Sequence, residues 1–161
     1  MKTTIILGPR GSGKTSLAKQ GASLFYKSEE IKLINRLIGY DGVWLFSECT
    51  EETKCLIFDD IISIEQLLEI ISFDFSNLRI ERPQLKPSYI NVEAVLICDD
   101  RINREQIDAF GSLITNRSRI IELDKNGFAI NYEFQFESSN PDTEVLLIDD
   151  VDNHYKFFPK K

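Results

Sequence analysis

Short runs of apolar residues, separated by polar or glycine-containing segments, recur along the chain. An apolar run without polar alternation is typical of a strand buried on both faces of a parallel sheet. The first run ends in Ile5-Ile6-Leu7 and leads directly into a glycine-rich segment. We predict buried strands at residues 3–7, 43–46, 55–58, 94–98 and 120–123.

Between these runs, apolar residues recur at the spacing of one helix face. The second predicted helix begins at a capping box, with Ser63 as N-cap and Gln66 three residues later, and the third can be capped by the segment 103–106. The predicted inner faces are Leu17, Ala18, Gly21, Ala22 and Phe25 in the first helix, Ile64, Leu67, Leu68 and Ile71 in the second, and Ile107, Phe110, Gly111 and Ile114 in the third.

The C-terminal part follows a different pattern. Residues 124–127 are typical of a hairpin turn, and apolar and polar residues alternate from 128 to 137, as in a strand with one buried face. A further strand is predicted at 145–148. Together with the segment GPRGSGKT at residues 8–15, which fits a phosphate-binding pattern, the whole pattern predicts an α/β three-layer P-loop fold with a mostly parallel sheet and a C-terminal antiparallel addition. We expect a core at residues 1–123 and a β extension at 124–161 packed on the same domain.

Composition narrows the class of protein. The 161 residues suffice for one domain, and the net charge of −7 argues against a non-specific nucleic-acid binder, which is usually basic. Three cysteines without paired spacing and a single histidine, His154, make a zinc site unexpected. The odd cysteine count suggests reduced thiols, and the N-terminal apolar run is too short for a signal peptide or membrane span. We therefore expect a cytoplasmic protein without a membrane partner.

The segment 8–15, GPRGSGKT, fits the phosphate-binding pattern G-x-x-x-x-G-K-[ST] between a predicted strand and a predicted helix. Glycines let backbone N–H groups approach phosphates, and the helix N-terminus adds partial positive charge. Lys14 would reach the β- and γ-phosphates, and the Thr15 hydroxyl would bind Mg²⁺. The alternative is an ordinary glycine turn. The predicted nucleotide contacts are Gly8, Pro9, Arg10, Gly11, Ser12, Gly13, Lys14, Thr15 and Ser16.

Two carboxylates end the buried run at 55–58. In a parallel sheet, an acid at such a strand end can hold Mg²⁺, and its neighbour can orient the attacking water. We assign Asp59 to the metal and Asp60 to the water. The alternative is that both are solubilising charges or part of a helix cap.

Two basic groups stand out in this acidic chain. Arg79, Arg82 and Lys86 lie in a connection without clear periodicity, which is either a nucleic-acid-contacting loop or hairpin or an ordinary solvated segment. Arg117 and Arg119 lie between a predicted helix and a strand. They are either surface charges or contacts to a γ-phosphate of this subunit or a neighbour.

The order of these elements over residues 3–123 resembles the ATPase core of the helicase superfamily 3 and AAA+ group. Its phosphate loop is similar, with Pro9 after the first glycine, and residues 55–60 resemble its Walker B strand. Residues 96–99 resemble the strand that carries the polar sensor residue, which is usually Asn or Thr and here is Asp99. Residues 78–92 occupy the place of the DNA-binding hairpin.

The resemblance implies an Mg²⁺-dependent ATPase, with a helicase-like use on single-stranded nucleic acid through Arg79, Arg82 and Lys86. It also implies that Arg117 is an arginine finger, which acts on a neighbouring subunit across the interface of a homo-oligomer. ATP is preferred over GTP because no convincing N-K-x-D base-reading motif is found. The alternatives are a small-molecule or nucleoside kinase, and a nucleotide-switched protein-binding module with little turnover.

Overall fold

The computed structural model describes residues 3–35, 45–61, 63–99, 101–111, 114 and 118–126. Along this part of the chain, each of the three α-helices follows a buried apolar strand, as the apolar runs predict. The strands are β1 (Thr3–Leu7), β2 (Ile31–Asn35), β3 (Cys55–Asp59), β4 (Leu78–Ile80), β5 (Ser88–Ile90), β6 (Ala94–Asp99) and β7 (Ser118–Glu122). The helices are α1 (Lys14–Ser23), α2 (Ile64–Ser72) and α3 (Arg104–Phe110).

Five strands form a parallel sheet in the order β2-β3-β6-β1-β7. Strand β6 therefore lies between the strand before the glycine-rich segment and the strand that ends in Asp59. The register pairs Leu7 with Asp99, and Asn35 with Asp59. Because carboxyl ends of parallel strands meet at one edge of a sheet, the residues that follow β1, β2, β3 and β6 are brought together there.

Successive residues of each central strand point to opposite faces, and each face carries its own core. Ile5, Phe58 and Ile97 belong to a cluster that includes Leu67 and Ile70 of α2 and Ile107 of α3. Ile6, Ile57 and Leu96 belong to a second cluster with Ala18 and Ala22 of α1. Helices thus cover both faces of the sheet, which explains why these strands are apolar without alternation.

The second strand is not where the sequence pattern placed it. We predicted it at 43–46, but the strand is Ile31–Asn35. Residues 43 and 44 lie outside the described part, whereas Leu45 and Phe46 are buried in a turn. Among the described strands, β2 lies at the edge of the sheet, and its residues are mostly half-buried, so its apolar signal is weak. Phe46 instead packs edge-on against Phe73, with ring centroids 5.1 Å apart.

The predicted caps of α2 and α3 are confirmed. Ser63 Oγ accepts from the Gln66 amide at 3.2 Å, and Asn103 and Gln106 form a reciprocal capping box. Helix α1 differs, since its N-cap is Gly13 and no side chain caps its first turn. The N–H groups of that turn therefore remain available to a ligand.

A two-stranded antiparallel sheet is present, but it is formed by β4 and β5. Apart from residues 124–126, the extension predicted at 124–161 lies outside the described residues, so the C-terminal antiparallel addition stays a prediction. The Asn126 amide donates to Asp124 Oδ1 at 2.8 Å, a turn contact within the predicted hairpin segment. None of the described helices is both long and apolar enough to cross a membrane.

Candidate functional site

A pocket of about 250 Å³ lies at the carboxyl edge of the sheet. Arg10, Gly11 and the segment from Gly13 to Ser16 form one wall. Asp59, Asp60 and Cys98, from the ends of β3 and β6, form the other wall. The pocket therefore brings together residues that are far apart in sequence and that are predicted to bind phosphate and metal.

The backbone of the glycine-rich loop adopts conformations that L side chains rarely take. Gly11 has φ 80° and Gly13 has φ 88°, both in the left-handed region. The Ser12 amide closes a turn on the Pro9 carbonyl at 3.1 Å. This turn brings the chain back from β1 and starts α1 at the pocket, so the uncapped N–H groups of the helix lie at the pocket wall.

Lys14 is held inside the loop rather than extended into solvent. Its Nζ donates to the carbonyl oxygens of Gly8 at 3.0 Å and Pro9 at 2.8 Å, and lies 3.5 Å from Ser12 Oγ. An ammonium group has three donors, so these acceptors account for all of them. The residue is buried, and the three contacts offset the cost of burying its charge.

Asp59 and Asp60 have different hydrogen-bond partners. Thr15 Oγ1 donates to Asp59 Oδ2 at 3.0 Å, while Asp59 Oδ1 accepts from the Asp60 amide at 3.0 Å. Asp60 has φ 54°, a left-handed conformation that Asp tolerates better than most residues, and its Oδ2 accepts from Asn35 Nδ2 at 2.9 Å. The chain thus turns at Asp60 so that both carboxylates border the same pocket.

Sequence reasoning missed Asn35. The available signal was a polar residue at the end of an apolar segment, as in β3 and β6. It went unused because the second strand was placed at 43–46. With β2 in its observed register, Asn35 lies opposite Asp59 and its amide fixes the neighbouring Asp60 carboxylate.

The oxygens of Thr15 and Asp59 suit a magnesium ion. Mg²⁺ prefers oxygen ligands and usually takes only one or two from the protein, with waters and substrate phosphates completing the octahedron. Thr15 Oγ1 and Asp59 Oδ2 are in hydrogen-bond contact at the pocket wall, so both are placed to share one ion. Within the described ranges, no group of three or more His, Cys, Asp or Glu is arranged so that it could hold a metal ion.

Strand β6 contributes Cys98 and Asp99 to this edge. Cys98 borders the pocket, and burial, followed by the nearby Asp59 charge, raises the pKa of its thiol to about 12. The thiol is therefore neutral at physiological pH. Asp99 Oδ1 accepts from the amides of Arg101 at 2.6 Å and Ile102 at 3.1 Å, so this oxygen stabilises the turn that ends the strand.

The basic connection forms the β4–β5 hairpin. Two of its cations have acidic partners, Arg79 with Glu81 and Arg82 with Glu51. The base of the hairpin is tied to the amino ends of the strands, where the Glu93 amide donates to the Lys54 carbonyl at 2.7 Å. A strand length of roughly 15 Å therefore separates this base from the edge that carries the pocket.

The proposed arginine finger cannot be placed. Arg117 lies outside the described residues, and its role stays a prediction. Arg119 lies in β7, where it is paired with Thr4 of the neighbouring strand β1.

Comparison with known proteins adds no assignment. No protein-family model matches the chain, and a search of curated proteins gave no match.

Proposed function

We propose that this protein is a P-loop nucleotide hydrolase that binds ATP with Mg²⁺ in the pocket and cleaves its terminal phosphate. The observation that supports this most directly is the convergence of Lys14, Thr15, Asp59 and Asp60 on one pocket. The sequence pattern predicts the loop residues as a unit, but it does not require that two carboxylates from a different strand meet them.

Binding would be carried by the loop and by α1. Backbone N–H groups at the uncapped N-terminus of α1 suit phosphate oxygens, and the helix dipole favours their negative charge. Lys14 supplies a fixed positive charge, because the carbonyls of Gly8 and Pro9 hold its ammonium in place before any ligand arrives. Such preorganised charge costs no rearrangement at the moment of reaction.

Hydrolysis would require a water molecule positioned in line with the bond to be broken. Asp60 borders the pocket, and its hydrogen bond from Asn35 limits rotation of the carboxylate. We assign it to orient the water and to accept a water proton as the new P–O bond forms and the β–γ bridging bond breaks, releasing ADP and phosphate. When bound by Thr15 and Asp59, Mg²⁺ would supply neutralisation of charge on the β- and γ-phosphates.

The direct test is phosphate release from ATP by the purified protein, with Mg²⁺, compared with Lys14→Ala. Loss of the ammonium should abolish tight ATP binding, measured by calorimetry, while circular dichroism shows whether the variant is folded. Lys19→Ala removes the same charge from an exposed position on α1 and should leave binding unchanged. Equal ATP affinity in folded Lys14→Ala and wild type would reject the assignment.

The same assay separates the alternative functions. A nucleoside or small-molecule kinase would transfer the phosphate to one member of a panel of acceptors instead of releasing it to water. A nucleotide-switched binding module would bind ATP but release little phosphate under any condition. A helicase-like motor would release phosphate faster when single-stranded DNA or RNA is added.

The β4–β5 hairpin supports a nucleic-acid partner. Arg79 and Tyr89 are cross-strand partners on its exposed face, and Lys86 is exposed at its turn. An aromatic ring beside a guanidinium suits a base and its phosphate. The ion pairs of Arg79 and Arg82 reduce the free positive charge, so any binding should be weak and salt-dependent.

A triple variant, Arg79→Ala with Arg82→Ala and Lys86→Ala, tests this interface. Each phosphate contact that is lost should flatten the slope of log K against log salt by about 0.7 for single strands. Tyr89→Ala should weaken binding without changing that slope, because stacking releases no counterions. Unchanged affinity and slope in the triple variant would remove the hairpin from the proposal.

A further inference from the structure

We propose that Arg10 is the residue that recognises the terminal phosphate of the nucleotide and that it acts in cis, within its own subunit. The inference rests on the proposed nucleotide-binding function and deepens it. It names the side chain that makes the pocket prefer a triphosphate to a diphosphate.

The two cations of the pocket differ in whether they have hydrogen-bond donors to offer to a ligand. Arg10 and Lys14 are the two basic residues on the described pocket wall. Lys14 is buried and its three ammonium donors already have acceptors in the loop and Ser12. Arg10 is exposed and makes no hydrogen bond or ion pair with the part of the chain that the structure describes. Its planar guanidinium can therefore bind two phosphate oxygens at once.

Arg10 also lies close in the chain to the residues that hold the Lys14 ammonium. In this loop pattern, the lysine ammonium marks the position of the β- and γ-phosphates. Here that ammonium rests on the carbonyls of Gly8 and Pro9, the two residues immediately before Arg10. Asp60, assigned to the attacking water, borders the same pocket. Arg10 therefore directly follows the two residues that hold the ammonium, and it lines the pocket that Asp60 also lines.

The charges at the pocket also favour a role for Arg10. Asp59 and Asp60 bring two negative charges to a pocket that must also accept a polyanion. The described pocket wall carries two positive charges against them, those of Lys14 and Arg10. Because a triphosphate carries more negative charge than a diphosphate, its binding depends more strongly on this second cation.

The test is calorimetric titration of the full chain with Mg·ATP and Mg·ADP, using wild type, Arg10→Gln and Arg10→Lys. Loss of a charge-assisted contact at an exposed position should lower ATP affinity about tenfold. The loss for ADP should be less than about threefold, since its outer phosphate is missing. The ATP affinity of Arg10→Lys should lie between that of wild type and that of Arg10→Gln, because lysine keeps the charge but loses the two-pronged geometry.

Lys19→Gln is the matched control, because it removes one exposed positive charge on α1 away from the pocket wall. Equal losses for ATP and ADP in Arg10→Gln, or the same loss in the control, would overturn the assignment of Arg10 while leaving nucleotide binding intact. If Arg10→Gln lost ATP affinity only at protein concentrations where copies of the chain associate, action in cis would be overturned. A wild type without nucleotide affinity would overturn the proposed function itself.

Discussion

Substitution of Gly8 by alanine should destabilise the protein through collision, whereas the other loop glycines are needed for backbone conformation. A Cβ atom at Gly8 would lie 2.8 Å from Ser12 Oγ, 3.0 Å from the Leu123 carbonyl oxygen and 3.2 Å from Leu123 Cβ. The Ser12 hydroxyl can rotate away. The Leu123 backbone cannot move easily, because its amide donates to the Leu7 carbonyl at 2.8 Å.

The magnitude follows from this difference. Inserting a methyl group against fixed backbone usually costs about 1–3 kcal/mol. We expect about 2 kcal/mol for Gly8→Ala, which lowers the urea midpoint by roughly 1 M for a protein of this size. The collision should also shift the Gly8 carbonyl that holds Lys14 Nζ, so ATP affinity should fall together with stability.

Gly11 supplies the comparison. Its φ is 80°, and a Cβ there would meet no atom within 4 Å, so only backbone strain opposes a side chain. Gly11→Ala should cost about 1–2 kcal/mol, and Gly11→Asn less, because Asn tolerates the left-handed region.

Urea unfolding followed by circular dichroism measures all three variants, and Ser12→Ala combined with Gly8→Ala tests the rigid contact. The double variant should recover less than half of the lost stability, since the Leu123 collision remains. Wild-type stability in Gly8→Ala, or full recovery in the double variant, would refute the explanation. Equal losses for Gly11→Ala and Gly11→Asn would refute the role of backbone strain.

The remaining predictions concern the carboxylates and one buried thiol. Asp60→Asn should bind Mg·ATP but turn over about 10²-fold more slowly, whereas Asp59→Asn should lose the Mg²⁺ dependence of binding; wild-type turnover in the first variant would reject its role. Asn35→Ala should lower kcat about tenfold with little change in KM, because Asp60 loses its positioning hydrogen bond, and the exposed Asn91→Ala should not. Burial raises the pKa of the Cys55 thiol from 9.0 to about 12, so the folded state keeps a proton that the unfolded state releases as pH rises above 9. Stability should therefore fall across that window by up to about 1.4 kcal/mol per pH unit from this thiol, and urea unfolding at pH 8 and 10 should show a shallower decline in Cys55→Ala.

The sequence by itself determined the elements whose signals are local. The apolar runs at β1, β3 and β6 predict strands because these segments are buried on both faces, and burial on both faces leaves no polar alternation. The caps at Ser63 and Asn103 were predictable because each is formed by residues three positions apart. The glycine-rich loop was predictable because its backbone conformation requires particular residues at fixed spacing.

The tertiary structure decided which of these elements meet. Strand β2 was misplaced because it lies at the edge of the described sheet, where its residues are only half-buried and its apolar signal is correspondingly weak. The apolar run that ends at Phe46 was mistaken for a strand, although Phe46 is buried in the core as part of a turn. The contact of Asn35 with Asp60 depends on the pairing of β2 with β3, and no local pattern encodes that pairing. The ion pair of Arg82 with Glu51 likewise joins chain segments that only the fold brings together, because the partners of such side chains are set by packing rather than by spacing along the sequence.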